Sequence, residues 1–156
     1  MPQTIARVTE TINLSQTPNE VFHYVSNHEN DPSWRKGVAS MAHIPSGPAH
    51  FGMQTREELV LWGRRRVIMA SITGYETGRL IAVETMPGGR QAHGERRVQA
   101  TPEGSSVSYM VGAKLTGLAT FLLSLIKFSF RIRLHSDLMR LKRILEAKQT
   151  LTAKDR

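Results

Sequence analysis

A long apolar repeat in the last third of the chain constrains the fold more than any other feature. Apolar residues recur at intervals of three and four between residues 118 and 146, at Leu118, Phe121, Leu122, Leu125, Phe128, Ile132, Leu138, Leu141 and Leu145. This spacing places them on one face of an α-helix. A helix of this length needs a broad apolar surface to pack against, and we expect a sheet formed by the preceding segments to provide it.

Short segments with the pattern of β-strands occupy most of the chain before that helix. Residues 4–14 alternate, with Val8, Ile12 and Leu14 on one side, which predicts a half-buried strand. Six more strands are predicted at 38–44, 53–61, 64–73, 80–86, 90–101 and 106–115, with turns between them. Since no connection is long enough for a crossover helix, we expect an antiparallel meander.

Two short helices are predicted between the first and second strands. Thr17 has the features of a helix N-cap, Pro18 suits the first helical position, and Glu20 stands at the capping-box spacing. Residues 31–32, Asp-Pro, start a second short helix that contains Trp34. The pattern therefore predicts an α+β domain over residues 1–149, followed by a short charged tail at residues 150–156.

Composition narrows the classes of protein that the chain can represent. It contains no cysteine, which excludes disulfides and thiolate chemistry. The first residues do not have the pattern of a secretory signal, so a cytoplasmic location is expected. The most apolar window, residues 118–130, is shorter than the ~20 residues that span a bilayer and is interrupted by Lys127. No transmembrane helix is predicted.

The formal net charge of +8 would suit nucleic acid or an anionic membrane. However, the basic residues are scattered over predicted strands and helix, no nucleic-acid motif is present, and only 6% of residues are aromatic. We therefore expect no nucleic-acid partner. Peripheral contact with anionic lipid through basic residues of the long helix stays open, and so do a monomer and a homodimer. Within that helix, Arg133 with Asp137 and Lys142 with Glu146 have the spacing of ion pairs.

Several motifs in a fixed order resemble those of a known superfamily. They are Ile12-Asn13-Leu14-Ser15 leading into residues 17–22, then Asn30-Asp31-Pro32-Ser33-Trp34 with Gly37-Val38, Gly74-Tyr75-Glu76, residues 102–107, and the helix end at residues 141–146. With these motifs the chain resembles the START-like helix-grip superfamily. That superfamily includes birch-pollen-allergen-like proteins and the bacterial polyketide cyclase/dehydrase (coenzyme-Q-binding-like) family.

This resemblance implies a curved seven-stranded antiparallel sheet around the long C-terminal helix. It also implies an elongated apolar cavity between them, which in relatives holds lipids, polyketides, hormones or quinones. It implies no particular reaction, because fold is a poor guide to function.

Strand alternation predicts which side chains face such a cavity. The predicted ligand contacts from the strands are Glu57, Arg66, Ile68, Glu84, Arg96, Val98 and Tyr109. Charged groups on an inner face are costly unless paired, so the four charged members predict either a ladder of ion pairs or the polar end of a ligand site. The alternative is that they lie at a solvated rim, since a shift of one residue in register reverses the assignment.

The remaining predicted contacts are Trp34, Phe121, Leu122 and Leu125. We place Trp34 at the mouth of the cavity, with plain packing of the short helices as the alternative. Arg96 or Arg66 would orient a carboxylate or phenolate group. If the protein is an enzyme, the best catalytic candidates are Glu84 as acid or base, with Arg96 and Tyr109.

No other chemistry is indicated by the sequence. The six histidines lack metal-ligand spacing, a trio of His43, His50 and His93 is disfavoured because these residues are scattered, and His93 is expected to face solvent. No nucleophile constellation, phosphate loop or dinucleotide motif is present, so we predict no metal and no cofactor.

The sequence thus predicts a carrier or sensor for a small hydrophobic or amphipathic molecule, such as a lipid, quinone or polyketide-like compound. The alternatives are a cyclase/dehydrase acting on an aromatic polyketide-like substrate and a cationic membrane-surface or protein-interaction module.

Overall fold

The computed structural model describes residues 4–117 and 121–154. The elements follow the predicted order. They are β1 (Thr4–Leu14), α1 (Pro18–Ser26), a 3₁₀ turn (His28–Asn30), α2 (Asp31–Trp34), β2 (Val38–Ile44), β3 (Gln54–Leu61), β4 (Arg64–Glu76), β5 (Leu80–Thr85), β6 (Ala92–Thr101), β7 (Gly104–Leu115) and α3 (Leu123–Lys154).

The seven strands form one antiparallel sheet in the order β1-β7-β6-β5-β4-β3-β2. β2 to β7 follow one another as a meander, and β1 pairs with β7, from Thr4 opposite Leu115 to Leu14 opposite Ser105. β1 and β2 are therefore neighbours in sequence but lie at opposite edges of the sheet, and α1 and α2 connect the two edges. The predicted helix-grip architecture is confirmed.

The predicted capping box sets the start of α1. The Thr17 backbone N–H donates to the Glu20 carboxylate at 2.9 Å, and the Glu20 N–H donates to the Thr17 hydroxyl at 3.4 Å. Pro18 occupies the first turn, where its missing N–H costs nothing. Val21 and Val25 then point into the core, almost completely buried.

α3 is buried against the rest of the domain only through its middle part. Its buried residues are Leu134, Asp137, Leu138, Leu141 and Leu145. By contrast, Phe121, Leu122, Leu125, Phe128 and Ile132 are exposed. The predicted continuous packed face is therefore wrong over its first part, because periodicity records an apolar face but not whether a neighbour covers it.

The bounds of α3 also differ from the prediction. The helix begins at Leu123 and continues to Lys154, so most of the segment expected to form a charged tail is helical. Leu118, the predicted start, lies outside the described residues.

Candidate functional site

A cavity of about 260 Å³ lies between the inner face of the sheet and α3. Its walls are mainly apolar, and they include Met41, Leu59, Leu61, Ile68, Ala70, Ile81, Val83, Val111, Ala113, Phe130 and Leu134. Because side chains alternate between the two faces of a strand, the wall residues of β3, β5 and β7 stand two apart in the sequence. The space is where the resemblance places a ligand.

The structure brings four of the predicted ligand-contact residues to this cavity. Glu57 on β3, Ile68 on β4, Arg96 on β6 and Tyr109 on β7 all line it. Val98 lies on the same strand as Arg96 but deeper in the core, where it is 1% exposed and does not line the cavity.

Glu84 faces the other side of the sheet, so its predicted place in the cavity is wrong. On β5 the cavity residues are Ile81, Val83 and Thr85, while Glu84 is exposed. β5 carries apolar residues on both faces, so its alternation did not decide which one points inward. The predicted catalytic combination of Glu84 with Arg96 and Tyr109 is therefore not assembled.

Arg66 is opposite Leu59 in the β3–β4 ladder but is exposed and does not line the cavity. It lies near the β3–β4 turn, where the cavity wall ends and the side chains are exposed to solvent. This outcome matches the alternative of a solvated rim.

Four further predicted contacts also lie outside the cavity. Trp34 is 1% exposed and packs edge-on against Tyr109, with 5.7 Å between ring centroids. Phe121, Leu122 and Leu125 are exposed because the sheet does not cover the start of α3 or the two residues just before it. The helix residues that do line the cavity lie further along, at Phe130, Arg133, Leu134 and Asp137.

The polar end of the cavity is built around Asp31, which is completely buried. Both terminal guanidinium nitrogens of Arg96 donate to its carboxylate, Nη1 at 2.9 Å and Nη2 in an even closer contact. Arg35 Nη1 donates to the same carboxylate at 2.9 Å and lies 2.6 Å from Glu57 Oε1. We call the chain Arg96, Asp31, Arg35 and Glu57 the ion network.

Local structure explains how the ion network assembles. Asp31 is the first residue of α2, and Arg35 follows four residues later, one helical turn away. Arg96 reaches them from β6 and also donates to the backbone carbonyl of Val25 at 2.6 Å. Its guanidinium lies 5.0 Å from the Trp34 ring centroid and 5.5 Å from that of Tyr109. The network therefore fixes the short helices onto the sheet.

Electrostatics keeps Asp31 and Arg35 charged. Burial alone would raise the pKa of Asp31, but the positive charges of Arg96 and Arg35 outweigh it and hold that pKa below its usual value. Burial alone would lower the pKa of Arg35, but the oxygens of Tyr109, Asp31 and Glu57 raise it above its usual value. With two guanidiniums and two carboxylates, the formal charges of the ion network cancel.

A pair of histidines lies beside the ion network. His43 Nδ1 is 2.8 Å from the Gly47 carbonyl oxygen, which only accepts, so this nitrogen carries the proton. His43 Nε2 then accepts from His28 Nδ1 at 3.0 Å. Burial, together with the nearby Arg96 charge, lowers the pKa of His28 to about 3, so its imidazole is neutral at pH 7.

Three polar atoms of side chains that line the cavity are buried without a hydrogen bond. They are Thr55 Oγ1, Glu57 Oε1 and His93 Nε2. The 2.6 Å contact of Glu57 Oε1 with Arg35 Nη1 is an ion pair without the alignment of a hydrogen bond. Tyr109, 5% exposed, adds a phenol group to the same wall. A buried polar atom without a partner costs free energy, so these groups favour a ligand that supplies hydrogen bonds.

Asp31, Arg35 and His28 were missed in the sequence. Residues 30–34 were recognised only as a family motif and a helix start. The available signal was the four-residue spacing of Asp31 and Arg35, but their other partners lie on β3 and β6 and leave no local pattern.

On α3, one of the two predicted ion pairs forms. Lys142 Nζ is 3.8 Å from Glu146 Oε1. The pair of Arg133 and Asp137 is wrong, because both side chains bind the Lys36 backbone instead. Asp137 Oδ1 accepts from the Lys36 N–H at 3.0 Å, and Arg133 donates to the Lys36 carbonyl. Burial raises the pKa of Asp137, and the hydrogen bond from Lys36 only partly offsets this.

The expectation that His93 faces solvent is wrong. The side chain is half-buried, lines the cavity and has its ring over Gly112, where an added Cβ would approach it to 2.1 Å. Within residues 4–117 and 121–154, no three His, Asp or Glu side chains converge as metal ligands. No helix in the same ranges is both long and apolar enough to cross a membrane.

Comparison with known proteins decides the family. The family model described as "Polyketide cyclase / dehydrase and lipid transport" matches residues 6–146. The chain belongs to this family. The resemblance found in the sequence motifs is thereby confirmed. No curated protein matches the chain.

Solved structures of similar fold agree with this assignment. A Staphylococcus aureus protein of unknown function, SA2116, superposes with a TM-score of 0.79 at 9% identity, covering 95% of this chain and 98% of that one. StfQ, a di-domain ARO/CYC of the steffimycin biosynthetic pathway, gives 0.74 at 11% identity, covering 94% and 52%. Ara h 8.0201 gives 0.58 at 15% identity, covering 88% and 99%. At these identities the likeness is one of fold, and together with the family it supports a ligand-binding helix-grip domain.

Proposed function

We propose that the protein binds a small, neutral, amphipathic molecule in the cavity and acts as its carrier or sensor. The observation that carries this proposal is an apolar cavity whose polar end is an ion network without net charge. Arg96 and Arg35 are already engaged by Asp31, Glu57 and Val25, so neither offers an unpaired charge to an anionic ligand. Arg133, the third arginine of the cavity lining, donates to the Lys36 carbonyl and lies near the Asp137 carboxylate. Burying a charged group without a partner is costly, which favours a neutral ligand.

The polar groups of the wall indicate which ligand groups they accept. Glu57 Oε1, as a carboxylate oxygen, accepts a hydrogen bond from a ligand hydroxyl. The Tyr109 phenol and the Thr55 hydroxyl donate to a carbonyl or accept from a hydroxyl. A polyketide-like molecule with hydroxyl and carbonyl groups satisfies all three, whereas a fatty acid would bring its carboxylate close to Glu57.

The volume of the cavity limits the ligand further. About 260 Å³ lies just below the ~300–1,000 Å³ typical of sites for drug-sized molecules. This size fits a molecule of one or two rings or a single short acyl chain. A lipid with two long chains does not fit.

Native mass spectrometry of the purified protein, followed by extraction under denaturing conditions, tests the proposal. We expect release of a neutral amphipathic compound. Ala113→Phe should lower the occupancy of the cavity about tenfold or more, because the phenylalanine ring takes up space that the ligand would fill. Ala42→Phe on the exposed side of β2 is the matched control and should retain the ligand. An empty wild-type protein that also fails to take up a hydrophobic dye would contradict the proposal.

The Glu57 carboxylate supports a second candidate, a cyclase/dehydrase reaction on an aromatic polyketide-like substrate. In that case Glu57 removes a proton from a carbon beside a carbonyl, while Tyr109 donates a hydrogen bond to that carbonyl. Glu57→Gln separates the two functions, because glutamine keeps an acceptor oxygen but is not a base. Loss of turnover with a ligand affinity within about tenfold indicates an enzyme. Glu84→Gln on the outer face is the control.

A further inference from the structure

An unusual apolar surface lies beside the cavity. Phe121, Leu122, Leu125, Phe128 and Ile132, at the start of α3 and just before it, are 86%, 47%, 62%, 62% and 57% exposed. Five large apolar side chains within twelve residues are more than scattered surface hydrophobics. Contiguous exposed apolar patches of this kind mark interaction sites.

The β3–β4 hairpin adds a second exposed apolar group. Trp62, at its tip, is 97% exposed, and Val60 and Val67 beside it are 38% and 52% exposed. Such a high exposure is unusual for tryptophan, which has the largest side chain and is highly buried on average. It is typical of a surface that is covered when a partner binds.

Both surfaces flank the same end of the cavity. Leu59 and Leu61, which lead into the hairpin, line the cavity together with Phe130 of α3. The Val60 N–H donates to the Gly37 carbonyl at 2.7 Å, and Arg133 of α3 approaches Gly37 as well. We call residues 60–67 and 121–133 the cavity rim.

The cavity rim is also cationic. It contains Arg64, Arg65, Arg66, Lys127, Arg131 and Arg133 and no acidic residue. Arg65 and Arg131 pair with the neighbouring carboxylates of Glu58 and Glu10. In the part of the chain that the structure describes, Arg64, Arg66, Lys127 and Arg133 form no ion pair.

We propose that the cavity rim docks onto a membrane surface that contains anionic lipid. Phosphate head groups complement its charge, and Trp62 with the exposed helix side chains inserts at the level of the head groups. A second copy of the chain is the less suitable occupant, because it would bring two cationic rims together. The proposal that the rim docks onto a membrane does not depend on which ligand the cavity binds. Exchange of a ligand between the bilayer and the cavity rests on the proposed function.

Flotation of the whole chain with lipid vesicles tests this proposal. We expect binding to vesicles of phosphatidylcholine mixed with phosphatidylglycerol, weak binding to phosphatidylcholine alone, and release by salt, which screens the attraction. Tryptophan emission reports the orientation, because Trp34 is 1% exposed and Trp62 is 97% exposed. Binding should shift the emission to the blue and protect it from acrylamide, and Trp62→Phe should remove both effects.

Matched variants distinguish the cavity rim from overall charge and overall apolar surface. Arg64→Gln with Arg66→Gln should weaken vesicle binding roughly 30-fold, since each basic residue near an anionic surface contributes about fivefold. Arg79→Gln with Arg143→Gln removes two exposed arginines elsewhere and should change binding far less.

The apolar part of the rim has its own pair of variants. Trp62→Ser should weaken binding about tenfold, since it removes a large apolar area from the interface. Phe51→Ser, which changes a side chain that is 69% exposed before β3, should not.

Three results would overturn the proposal. The first is equal vesicle binding by the rim variants and their controls, and the second is no binding of the wild type at low salt. The third is a dimer in sedimentation velocity that Trp62→Ser dissociates, which would make the rim an interface between copies. Ala113→Phe should lose the cavity ligand and keep vesicle binding, so failure of the proposed function stays distinguishable from failure of docking.

Discussion

Replacing Asp31 with Asn removes the central charge of the ion network while keeping the shape of the side chain. Asp31 is 0% exposed and accepts hydrogen bonds from Arg96 and Arg35. Asparagine retains one oxygen but turns an NH₂ group toward a guanidinium that cannot accept a hydrogen bond. Arg96, whose side chain is 6% exposed, is then left with an uncompensated charge in the protein interior.

The expected cost follows from this burial. Breaking a buried ion pair by removing one partner destabilises a protein by about 3–5 kcal/mol. Domains of this kind have free energies of unfolding of about 5–15 kcal/mol, so the change removes a large share of the total. The melting temperature should fall by roughly 6–20 °C.

Urea denaturation followed by tryptophan fluorescence measures this effect, because the Trp34 ring lies against Arg96. We expect a lower midpoint with an unchanged slope. Glu29→Gln, an exposed carboxylate on the neighbouring 3₁₀ turn, is the control and should shift stability by less than about 0.5 kcal/mol. The Asp31→Asn and Arg96→Gln double variant should be less destabilised than the sum of the single changes.

The stabilisation by Asp31 should depend on pH in a direction that follows from its pKa. Because the pKa of Asp31 is lower in the folded protein than in the unfolded chain, its stabilisation is present above about pH 4 and is lost as the pH falls through the folded pKa. The difference between wild type and Asp31→Asn should therefore shrink in acid. A difference below about 1 kcal/mol at neutral pH would show that the network is not a source of stability.

Two further predictions concern His28 and α3. The pKa of His28 is lowered to about 3, so below about pH 6.5 the unfolded chain binds a proton that the folded protein does not. The free energy of unfolding should therefore fall by about 3 kcal/mol between pH 7 and pH 4. His28→Gln should flatten the profile of urea midpoint against pH. An equal slope in both proteins would contradict this. Leu138→Ala, at a fully buried position, should destabilise the fold by about 2–5 kcal/mol, whereas Leu125→Ala, 62% exposed, should change it by less than about 1 kcal/mol in the same assay.

Much of the fold follows from local patterns in the sequence. Alternation on β1, β3 and β7, turn residues between the strands, and the capping box at Thr17 each act over a few residues, and all are found where they were predicted. The sequence did not show which face of β5 points into the cavity, because Leu80 and Ala82 on one side are as apolar as Ile81 and Val83 on the other. The exposure of the first part of α3 was not predicted either, because the sequence does not show that its apolar side chains lack a neighbouring element to cover them.

The candidate site was predictable only in part. Glu57, Arg96 and Tyr109 were found because each stands in a row of alternating apolar residues, where a polar side chain is conspicuous. Asp31 was not found, because its principal partner, Arg96, lies 65 residues away in sequence. Long-range ion pairs of this kind become visible only once the strands are arranged in space.

The pairing of β1 with β7 has a consequence for how the protein folds. β1 is an edge strand whose neighbour in the sheet is β7, so its first residue, Thr4, pairs with Leu115, more than one hundred residues later. During synthesis, β1 therefore has no partner strand until the residues of β7, more than 100 positions later for Thr4, have been added. Closing so large a loop is slow, and an unpaired strand edge is prone to aggregation, so folding of this protein should depend strongly on what shields β1 during synthesis.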